Sequence, residues 1–319
     1  MKRIEYIIVF LLVISSLFSA AFADDDALDP EELKNKGNAL YEKNDIDGAI
    51  ELWKKAIEID STYSFAYNNI GVALYSKKDY QGSMEYLSKA VNLDSTFAKA
   101  FNSLGNAYLA LGNYENAKKS YSMSIELDPD YEEKHNNLGN ALLALGDLEG
   151  ARKSYIESIK INNNYAEAYN NLGIVCQKNS DMAGAGENFR KAIKIDSQFV
   201  QAYINMGLLY YEEGGNQLEK AIEYFNKAEK LDSENVLIPY NCGLTYFKRE
   251  NYVESIKYFT KAAKLSPDDP DIQYVLGLAF AERKFYKKAV EFFDAALEID
   301  QNHSNALIAK DLTSQMLGE

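Results

Sequence analysis

Glycine recurs along the chain at a nearly constant spacing. Successive members of the series are 34 residues apart, except for one step of 36 residues. The series consists of Gly37, Gly71, Gly105, Gly139, Gly173, Gly207, Gly243 and Gly277. Only 18 of the 319 residues are glycine, so eight of them in one register are not a chance arrangement. A fixed period of this length predicts a solenoid, in which each unit packs on its neighbours.

A fixed order of small and large residues follows each glycine, with two inserted residues allowed in the sixth unit. The small residue twelve positions after the glycine is Ala49, Ser83, Ala117, Ala151, Ala185, Ala221, Ser255 or Ala289. The large residue four positions later is Trp53, Leu87, Tyr121, Tyr155, Phe189, Phe225, Phe259 or Phe293. The next small residue is Ala56, Ala90, Ser124, Ser158, Ala192, Ala228, Ala262 or Ala296. These spacings place all three positions on one helical face, which predicts two closely interlocked helices.

A short polar residue interrupts most units near the middle. It is Asp45, Asp79, Asn113, Asp147, Asp181 or Asn251. Side chains of this kind accept hydrogen bonds from the free backbone N–H groups at the start of a helix. Each unit is therefore predicted to contain a helix, a short turn and a second helix.

This pattern resembles the tetratricopeptide repeat (TPR) family over residues 30–303. The resemblance implies an all-α chain that forms an α-α superhelical solenoid of eight TPR helix-turn-helix units. With the glycine as position 8, the units span 30–63, 64–97, 98–131, 132–165, 166–199, 200–235, 236–269 and 270–303. The remaining residues, 304–319, are predicted to form a C-terminal capping helix that covers the last unit. Its apolar residues on helical spacing are Ala306, Leu307, Ala309, Leu312, Met316 and Leu317. The chain departs from the family pattern at most repeat ends, where the family's proline is present only as Pro129 and Pro267.

The first 23 residues differ from the repeats. Lys2 and Arg3 precede an apolar run, and residues 21–23 (Ala-Phe-Ala) fit a small-x-small cleavage site. This predicts a signal peptide over 1–23 and an acidic lead-in over 24–29. The alternative is an uncleaved membrane anchor over 6–23, because 18 uncharged residues are the lower limit for spanning a bilayer. In either case we expect the repeats to lie outside the cytosol, in the periplasm, a secretory lumen or the extracellular space.

The charge of the chain restricts its partners. The formal net charge is −14, from 34 basic and 48 acidic residues. A chain this acidic has no general affinity for phosphate backbones or for anionic lipid. We therefore expect no nucleic-acid partner.

No pattern of catalytic or metal-binding residues is present. The chain has two histidines and two cysteines, and none of the common hydrolase, metalloprotease or nucleotide-binding motifs. Cys176 and Cys242 lie two repeats apart, too far for a disulfide, and are predicted to be buried free thiols. We expect no enzymatic activity, no cofactor, no metal and no small-molecule substrate.

The resemblance implies that the first helices line a concave groove and contact ligands through positions 2, 5, 6 and 9. Asparagine is frequent at these positions. The predicted peptide-binding residues are Asn35, Asn69, Asn102, Asn106, Asn137, Asn140, Asn171, Asn205 and Asn241. An amide both donates and accepts, so a ladder of amides can pair with an extended peptide backbone, as in the similar ladder of O-linked GlcNAc transferases. The alternative is that these asparagines cap or bridge neighbouring helices.

Two further subsites are possible. Lys34, Asn38, Asn69 and Lys99 resemble four of the five residues with which co-chaperone TPR domains grip a terminal carboxylate, while Ser103 replaces the fifth, basic residue. Later repeats carry apolar residues instead, namely Leu208, Tyr240, Leu244, Tyr274 and Leu278. These predict an anchor site for large side chains or a partner helix. Alternatively, the C-terminal helix or the curvature of the solenoid covers them.

The sequence therefore predicts an exported scaffold that binds an extended protein segment in its groove and mediates protein–protein interaction. Two alternatives stay open. The chain could be a self-assembling structural protein, or an accessory subunit of a secretion, pilus or transport machine of the envelope. The identity of the partner is not specified by any motif.

Overall fold

The computed structural model describes residues 29–318. The predicted signal peptide or anchor, most of the acidic lead-in and Glu319 lie outside the described residues. Within 29–318 all regular structure is helical, as predicted, and the chain divides into two compact units, one ending at Leu145 and one beginning at Gly146. Unit one contains α1 (Pro30–Glu42), α2 (Ile46–Ile59), α3 (Ser64–Ser76), α4 (Tyr80–Leu93), α5 (Ala98–Ala110), α6 (Tyr114–Leu127) and α7 (Glu132–Ala144).

Unit two contains the other ten α-helices of the described chain. They are α8 (Leu148–Ile161), α9 (Ala166–Lys178), α10 (Met182–Ile195), α11 (Val200–Glu213), α12 (Leu218–Leu231), α13 (Leu237–Lys248), α14 (Tyr252–Leu265), α15 (Pro270–Glu282), α16 (Tyr286–Ile299) and α17 (Ser304–Leu317). A short 3-10 turn, Gly215–Gln217, separates α11 from α12 and accommodates the two inserted residues. None of the helices described is both long and apolar enough to cross a bilayer.

The polar residues in the middle of the repeats cap the second helices, as predicted. Asp45 accepts from the backbone N–H of Gly48 at 3.0 Å, and Asp181 accepts from that of Gly184 at 2.8 Å. The residue before each of these caps has a left-handed φ, of 65° at Asn44 and 62° at Ser180. This conformation reverses the chain between the two helices of a hairpin.

The recurring glycine allows the two helices of a hairpin to touch. A Cβ atom at Gly105 would collide with the ring of Tyr121, and one at Gly243 would collide with the ring of Phe259. Both rings are fully buried. The predicted interlocking of small and large residues is therefore confirmed, and the same contact recurs in both units.

The C-terminal helix α17 packs against α16 through only part of its surface. Ala306 and Thr313 are buried, and Lys310 pairs with Asp294 at 2.7 Å. The larger apolar residues face solvent: Leu307, Ile308, Leu312 and Met316 are 45–69 % exposed. The predicted capping helix is present, but most of the large apolar residues assigned to its packing face lie on the outside.

The two cysteines are free thiols, as predicted. Cys242 is buried in α13, and burial raises the pKa of its thiol to about 12. Cys176 is only partly buried, and the Asn188 side chain donates to its Sγ at 3.8 Å. The prediction that both thiols are buried is therefore wrong for Cys176.

Candidate protein-binding faces

The first helix of each repeat presents positions 2, 5, 6 and 9 on one side, a surface called here the first-helix face. In unit one, the amides on this face bond to one another across neighbouring helices. The Asn69 Nδ2 donates to the Asn38 Oδ1 at 2.9 Å. The Asn137 Nδ2 lies 3.4 Å from the Oδ1 atoms of both Asn102 and Asn106. These amides bridge α1 to α3 and α5 to α7, which is the alternative role that the sequence left open.

One of these amides is also bonded to the hydrophobic core. The Tyr121 hydroxyl donates to the Asn106 Oδ1 at 2.7 Å. Tyr121 is fully buried, and this burial raises the pKa of its hydroxyl far above the usual range. A buried hydroxyl needs a partner, so Asn106 has a structural role in addition to any contact with a ligand.

Two adjacent cavities lie on the first-helix face of unit one, with volumes of about 420 Å³ and 220 Å³. The larger is lined by Val72, Lys99, Asn102, Ser103, Asn106, Asp128, Tyr131, Glu133 and Lys134. The smaller is lined by Asn38, Tyr41, Glu42, Trp53, Asn68, Asn69, Val72 and Lys99. Because both include Val72 and Lys99, they form a single furrow across α3 and α5.

Three donors in the larger cavity make no hydrogen bond or ion pair within residues 29–318. They are the Lys99 ammonium, the Asn102 Nδ2 and the Ser103 hydroxyl. The neighbouring Lys134 is different, because its ammonium is buried and donates to the carbonyl and carboxylate of Asp128, at 2.9 Å and 2.6 Å. The furrow thus offers one cation and two neutral donors to a ligand.

The structure brings together three of the four predicted carboxylate-clamp residues. Asn38, Asn69 and Lys99 line the smaller cavity. Lys34 does not line it: its ammonium pairs with Glu31 and lies 5.5 Å from the centre of the Phe65 ring. Because of these two interactions, Lys34 is not a second free cation for a ligand carboxylate.

In unit two, the predicted amides are mostly engaged inside the protein. Asn205 is 7 % exposed, donates to the Asn170 Oδ1 at 2.8 Å and accepts from Gln201 at 3.0 Å. The Asn241 Nδ2 donates to the Leu237 carbonyl of its own helix at 2.7 Å. The remaining predicted amides are Asn171, which is half-buried in unit two, and, in unit one, half-buried Asn140 and exposed Asn35. A continuous ladder of available amides is not present in unit two.

The predicted apolar anchor residues of unit two are half-buried. Tyr240 packs 6.0 Å from Phe259 and Tyr274 packs 6.1 Å from Phe293, measured between ring centres. Leu208 and Leu244 pack against the neighbouring cores, and Leu278 is also half-buried. On this face, His303 of the C-terminal segment packs against Tyr274, with 5.3 Å between the ring centres.

A small cavity of about 170 Å³ beside Tyr240 was not foreseen from the sequence. It is lined by Val236, Leu237, Tyr240, Asp269, Asp271 and Ile272. Leu237 is 51 % exposed, so the site combines an accessible apolar wall with two carboxylates. Leu237 stands at position 2 of its repeat and could have been noticed there as an exposed apolar residue.

No group of three metal-binding side chains is present in the part of the chain that the structure describes.

Comparison with family models assigns repeats to almost the whole described chain. The model described as a TPR repeat matches residues 37–78, 71–112, 105–146 and 139–180. Models described as a tetratricopeptide repeat match residues 166–199, 200–235 and 240–304. The chain belongs to the tetratricopeptide repeat family. Proteins of this family are generally non-catalytic scaffolds for protein–protein interaction.

Several solved structures are similar to this TPR protein. The APC/C hetero-tetramer Cut9–Hcn1 gives a TM-score of 0.64 at 16 % identity, over 92 % of this chain and 57 % of the other. A TPR protein from Parabacteroides merdae gives 0.65 at 16 % identity, over 79 % and 98 %. The pilF protein of Pseudomonas aeruginosa gives 0.56 at 19 % identity, over 67 % and 96 %. The chain spans little more than half of the Cut9–Hcn1 chain, and these likenesses concern the fold alone. No curated protein matches the sequence.

Proposed function

We propose that this TPR protein is an exported, non-catalytic scaffold that binds an extended segment of a partner protein on the first-helix face of unit one. The observation that carries the proposal is the furrow formed by two adjacent cavities that share Val72 and Lys99. A furrow crossing two first helices suits an extended chain better than a compact small molecule.

The unpaired groups in the furrow indicate the chemistry of the segment. The Lys99 ammonium suits a carboxylate, either an acidic side chain or a chain terminus. The Asn102 Nδ2 and the Ser103 hydroxyl suit peptide carbonyl oxygens. Capture of a terminal carboxylate by Lys34, Asn38, Asn69 and Lys99 together is the less supported arrangement, because Lys34 is held by Glu31.

Unit two offers a separate subsite for a side chain of the partner. The cavity beside Tyr240 has an apolar wall at Leu237 and carboxylates at Asp269 and Asp271. This combination suits a long basic side chain, whose stem packs on apolar surface while its charge meets a carboxylate. Tyr240 belongs to this cavity, and Leu208, Leu244, Tyr274 and Leu278 are further half-buried apolar residues on the first-helix face of unit two.

The test is affinity capture from native extracellular or periplasmic extract, with the chain from Asp24 onward as bait. The variant bait carries Lys99→Ala, Asn102→Ala and Ser103→Ala. The matched control carries Lys119→Ala, Asn116→Ala and Ser122→Ala, which remove the same residue types from α6. We expect the variant to bind at least about tenfold more weakly, because it loses one charged and two neutral hydrogen bonds.

The same capture separates the alternatives. Equal retention of a partner by all three baits would move binding to another surface and contradict the proposal. A stable set of envelope proteins retained by all three would favour an accessory subunit of a larger machine. Recovery of this chain alone would favour a self-assembling structural protein.

Export has a test of its own. Amino-terminal sequencing of the protein recovered from the envelope is expected to begin at Asp24. A sequence that begins within residues 1–5 would show an uncleaved anchor instead, and recovery from the cytosol alone would contradict export.

A further inference from the structure

The last repeat of unit two carries four cations without a carboxylate partner. Arg283, Lys284, Lys287 and Lys288 stand in the turn between α15 and α16 and in the first turn of α16. None of them forms an ion pair within the described residues, although the chain carries a net charge of −14. Two lie over aromatic rings instead: Arg283 over Phe285 at 4.9 Å and Lys288 over Phe280 at 5.4 Å. This cluster is called here the basic end.

The basic end lies beside the end of α17. Leu317 lines a cavity of about 320 Å³ together with Lys284, Phe285 and Lys287. Phe285 is 48 % exposed and begins α16 without a side-chain cap, where most other second helices begin with Asp or Asn. An exposed aromatic and two lysines at a helix start all lower the stability of α16, which is expected where a surface has another role.

Acidic side chains gather at the opposite end of α17. The His303 Nε2 lies 3.1 Å from the Asp271 Oδ1, so the beginning of α15 is next to the beginning of α17. Asp268 and Asp271 are exposed there, and Glu298 and Asp300 are exposed at the end of α16, just before α17. These four carboxylates are called here the acidic end.

An apolar stripe joins the two ends. Ile308, Leu312 and Met316 are 60 %, 59 % and 69 % exposed, and a spacing of four residues places them on one side of α17. Lys310 is turned inward to Asp294, while Asp311 borders the stripe. The apolar stripe of α17 is therefore flanked by the acidic end near the start of the helix and by the basic end near its finish.

We infer that this surface is a docking site for a second copy of the chain, with the two α17 helices antiparallel about a two-fold axis. In that arrangement each basic end meets an acidic end, and the apolar stripe of one copy covers that of the other. A two-fold interface requires such self-complementarity, since the same patch serves both subunits. This dimer is independent of the peptide-binding furrow in unit one.

An anionic lipid surface fits less well. The four cations and the exposed apolar stripe are features of an interfacial helix. However, a helix lying flat on the bilayer would bring the acidic end against the same negative surface. The opposite charges at the two ends of α17 favour a second copy in antiparallel orientation over a uniformly negative surface.

A single helix pair gives a small interface, so the dimer is weak. We expect a dissociation constant on the order of 10 µM, typical of interfaces at the small end of the range. Sedimentation velocity of the chain from Asp24 onward, over roughly 1–100 µM, brackets that value. The apolar residues 6–23 are left out because they would associate by themselves. The chain from Asp24 onward includes all the described residues of both units. Far-UV circular dichroism checks that each variant is folded.

A charge exchange tests both the surface and the orientation. One variant neutralises the basic end with Lys287→Glu and Lys288→Glu, and a second neutralises the acidic end with Asp268→Lys and Glu298→Lys. Each alone is expected to dimerise more weakly than the wild type, because one charged end of each copy then meets a neutral end. In an equimolar mixture the two variants are expected to bind each other more tightly than either binds itself, since the intact acidic end of one copy then meets the intact basic end of the other.

Two more variants complete the experiment. Ile308→Ser, Leu312→Ser and Met316→Ser together are expected to abolish the dimer. Because these three side chains are exposed, the variant is expected to keep its fold. The matched control, Lys54→Glu with Lys55→Glu, changes the net charge equally on exposed residues of unit one and should leave the dimer unchanged.

Three outcomes would overturn the inference. One is a monomer throughout the concentration range. Another is a dimer that the control variant weakens as much as the basic-end variant does, or a pair of charge variants that bind each other no more tightly than each binds itself. The third is a monomer that binds vesicles of phosphatidylcholine and phosphatidylglycerol through Lys287 and Lys288, which would assign the basic end to a lipid surface.

Discussion

The large core residue of the repeat that contains Tyr121, in unit one, differs from that of two repeats in unit two, and the residue on the first-helix face differs with it. In unit one, Tyr121 donates its hydroxyl to Asn106 at position 9. In unit two, Phe225 and Phe259 occupy the same core position, and the corresponding face residues are Leu208 and Leu244. In these repeats the polarity of the residue on the first-helix face therefore depends on the core residue beneath it, because a buried hydroxyl needs a polar partner.

This matching separates two kinds of surface. The face of unit one keeps unpaired donors at Lys99, Asn102 and Ser103, which suit the backbone and carboxylates of a ligand. The face of unit two has its amides engaged at Asn205 and Asn241 and carries half-buried apolar side chains. The first surface can recognise a chain by hydrogen bonds, whereas the second can hold side chains by burial.

The largest predicted effect concerns what the units share. Gly105→Val in unit one and Gly243→Val in unit two should each lower the free energy of unfolding by about 3 kcal/mol or more, because the new side chain collides with Tyr121 or Phe259. Urea unfolding of both variants measures this. Ala110→Val, at an exposed site of α5, is the control. If either variant unfolds with the same free energy as the wild type, the two units do not share this core contact.

The second effect tests the matching of core and face directly. Phe225→Tyr should cost about 2 kcal/mol, because its buried hydroxyl would have no partner beside Leu208. Adding Leu208→Asn should recover part of that loss by supplying the acceptor that Asn106 supplies to Tyr121. A double-mutant cycle from urea unfolding gives the coupling. If the two changes are simply additive, the matching has no energetic basis.

Cys242 tests the apolar character of unit two through pH. Burial raises the pKa of its thiol from 9.0 to about 12, so the folded state keeps a proton that the unfolded state loses. The resulting stability is complete below pH 9 and declines as the pH rises toward about 12. Between pH 9 and about 10.5 the wild type should lose about 2 kcal/mol more than Cys242→Ala, measured by urea unfolding. Equal losses would contradict the shift.

The smallest effect concerns the helix starts, where the last repeat differs from unit one. The second helices α2, α4 and α6 are capped by Asp45, Asp79 and Asn113, whereas α16 begins at uncapped Phe285. Lys287→Glu should raise the free energy of unfolding by about 0.5 kcal/mol, because it places a negative charge in the first turn of α16. The same change made at Lys54, inside α2, is the control. A loss of stability at Lys287 would show that its charge is needed for the fold.

The hairpins could be predicted from the sequence because their determinants are local. The caps at Asp45 and Asp181 and the contact between Gly105 and Tyr121 follow from spacing alone. The choice of partner for each amide could not be predicted, because an asparagine at position 6 can bond to a ligand or to the next helix with equal chemistry. The sequence could not show that the structure uses Asn69 and Asn137 in the second way.

The outer surface of α17 shows a second limit. Periodicity identified Leu307, Leu312 and Met316 as helical apolar positions, and a capping role predicted that they are covered. The structure covers Ala306 and Thr313 instead, because the small residues fit against α16. Periodicity shows that apolar residues share a face, but it does not show which face the neighbouring helix occupies.

Site-specific photo-cross-linking measures the central claim most directly. A photoreactive residue is placed at Ser103, in the furrow of unit one, or at Ser122, on α6 of the same repeat, and the chain is irradiated in native extract. Binding in the furrow predicts a cross-linked partner at Ser103 that is absent at Ser122, with the attachment mapping to one short segment of that partner. Cross-links at Ser122 but not at Ser103, or equal products from both, would contradict the assignment of the furrow as the binding site.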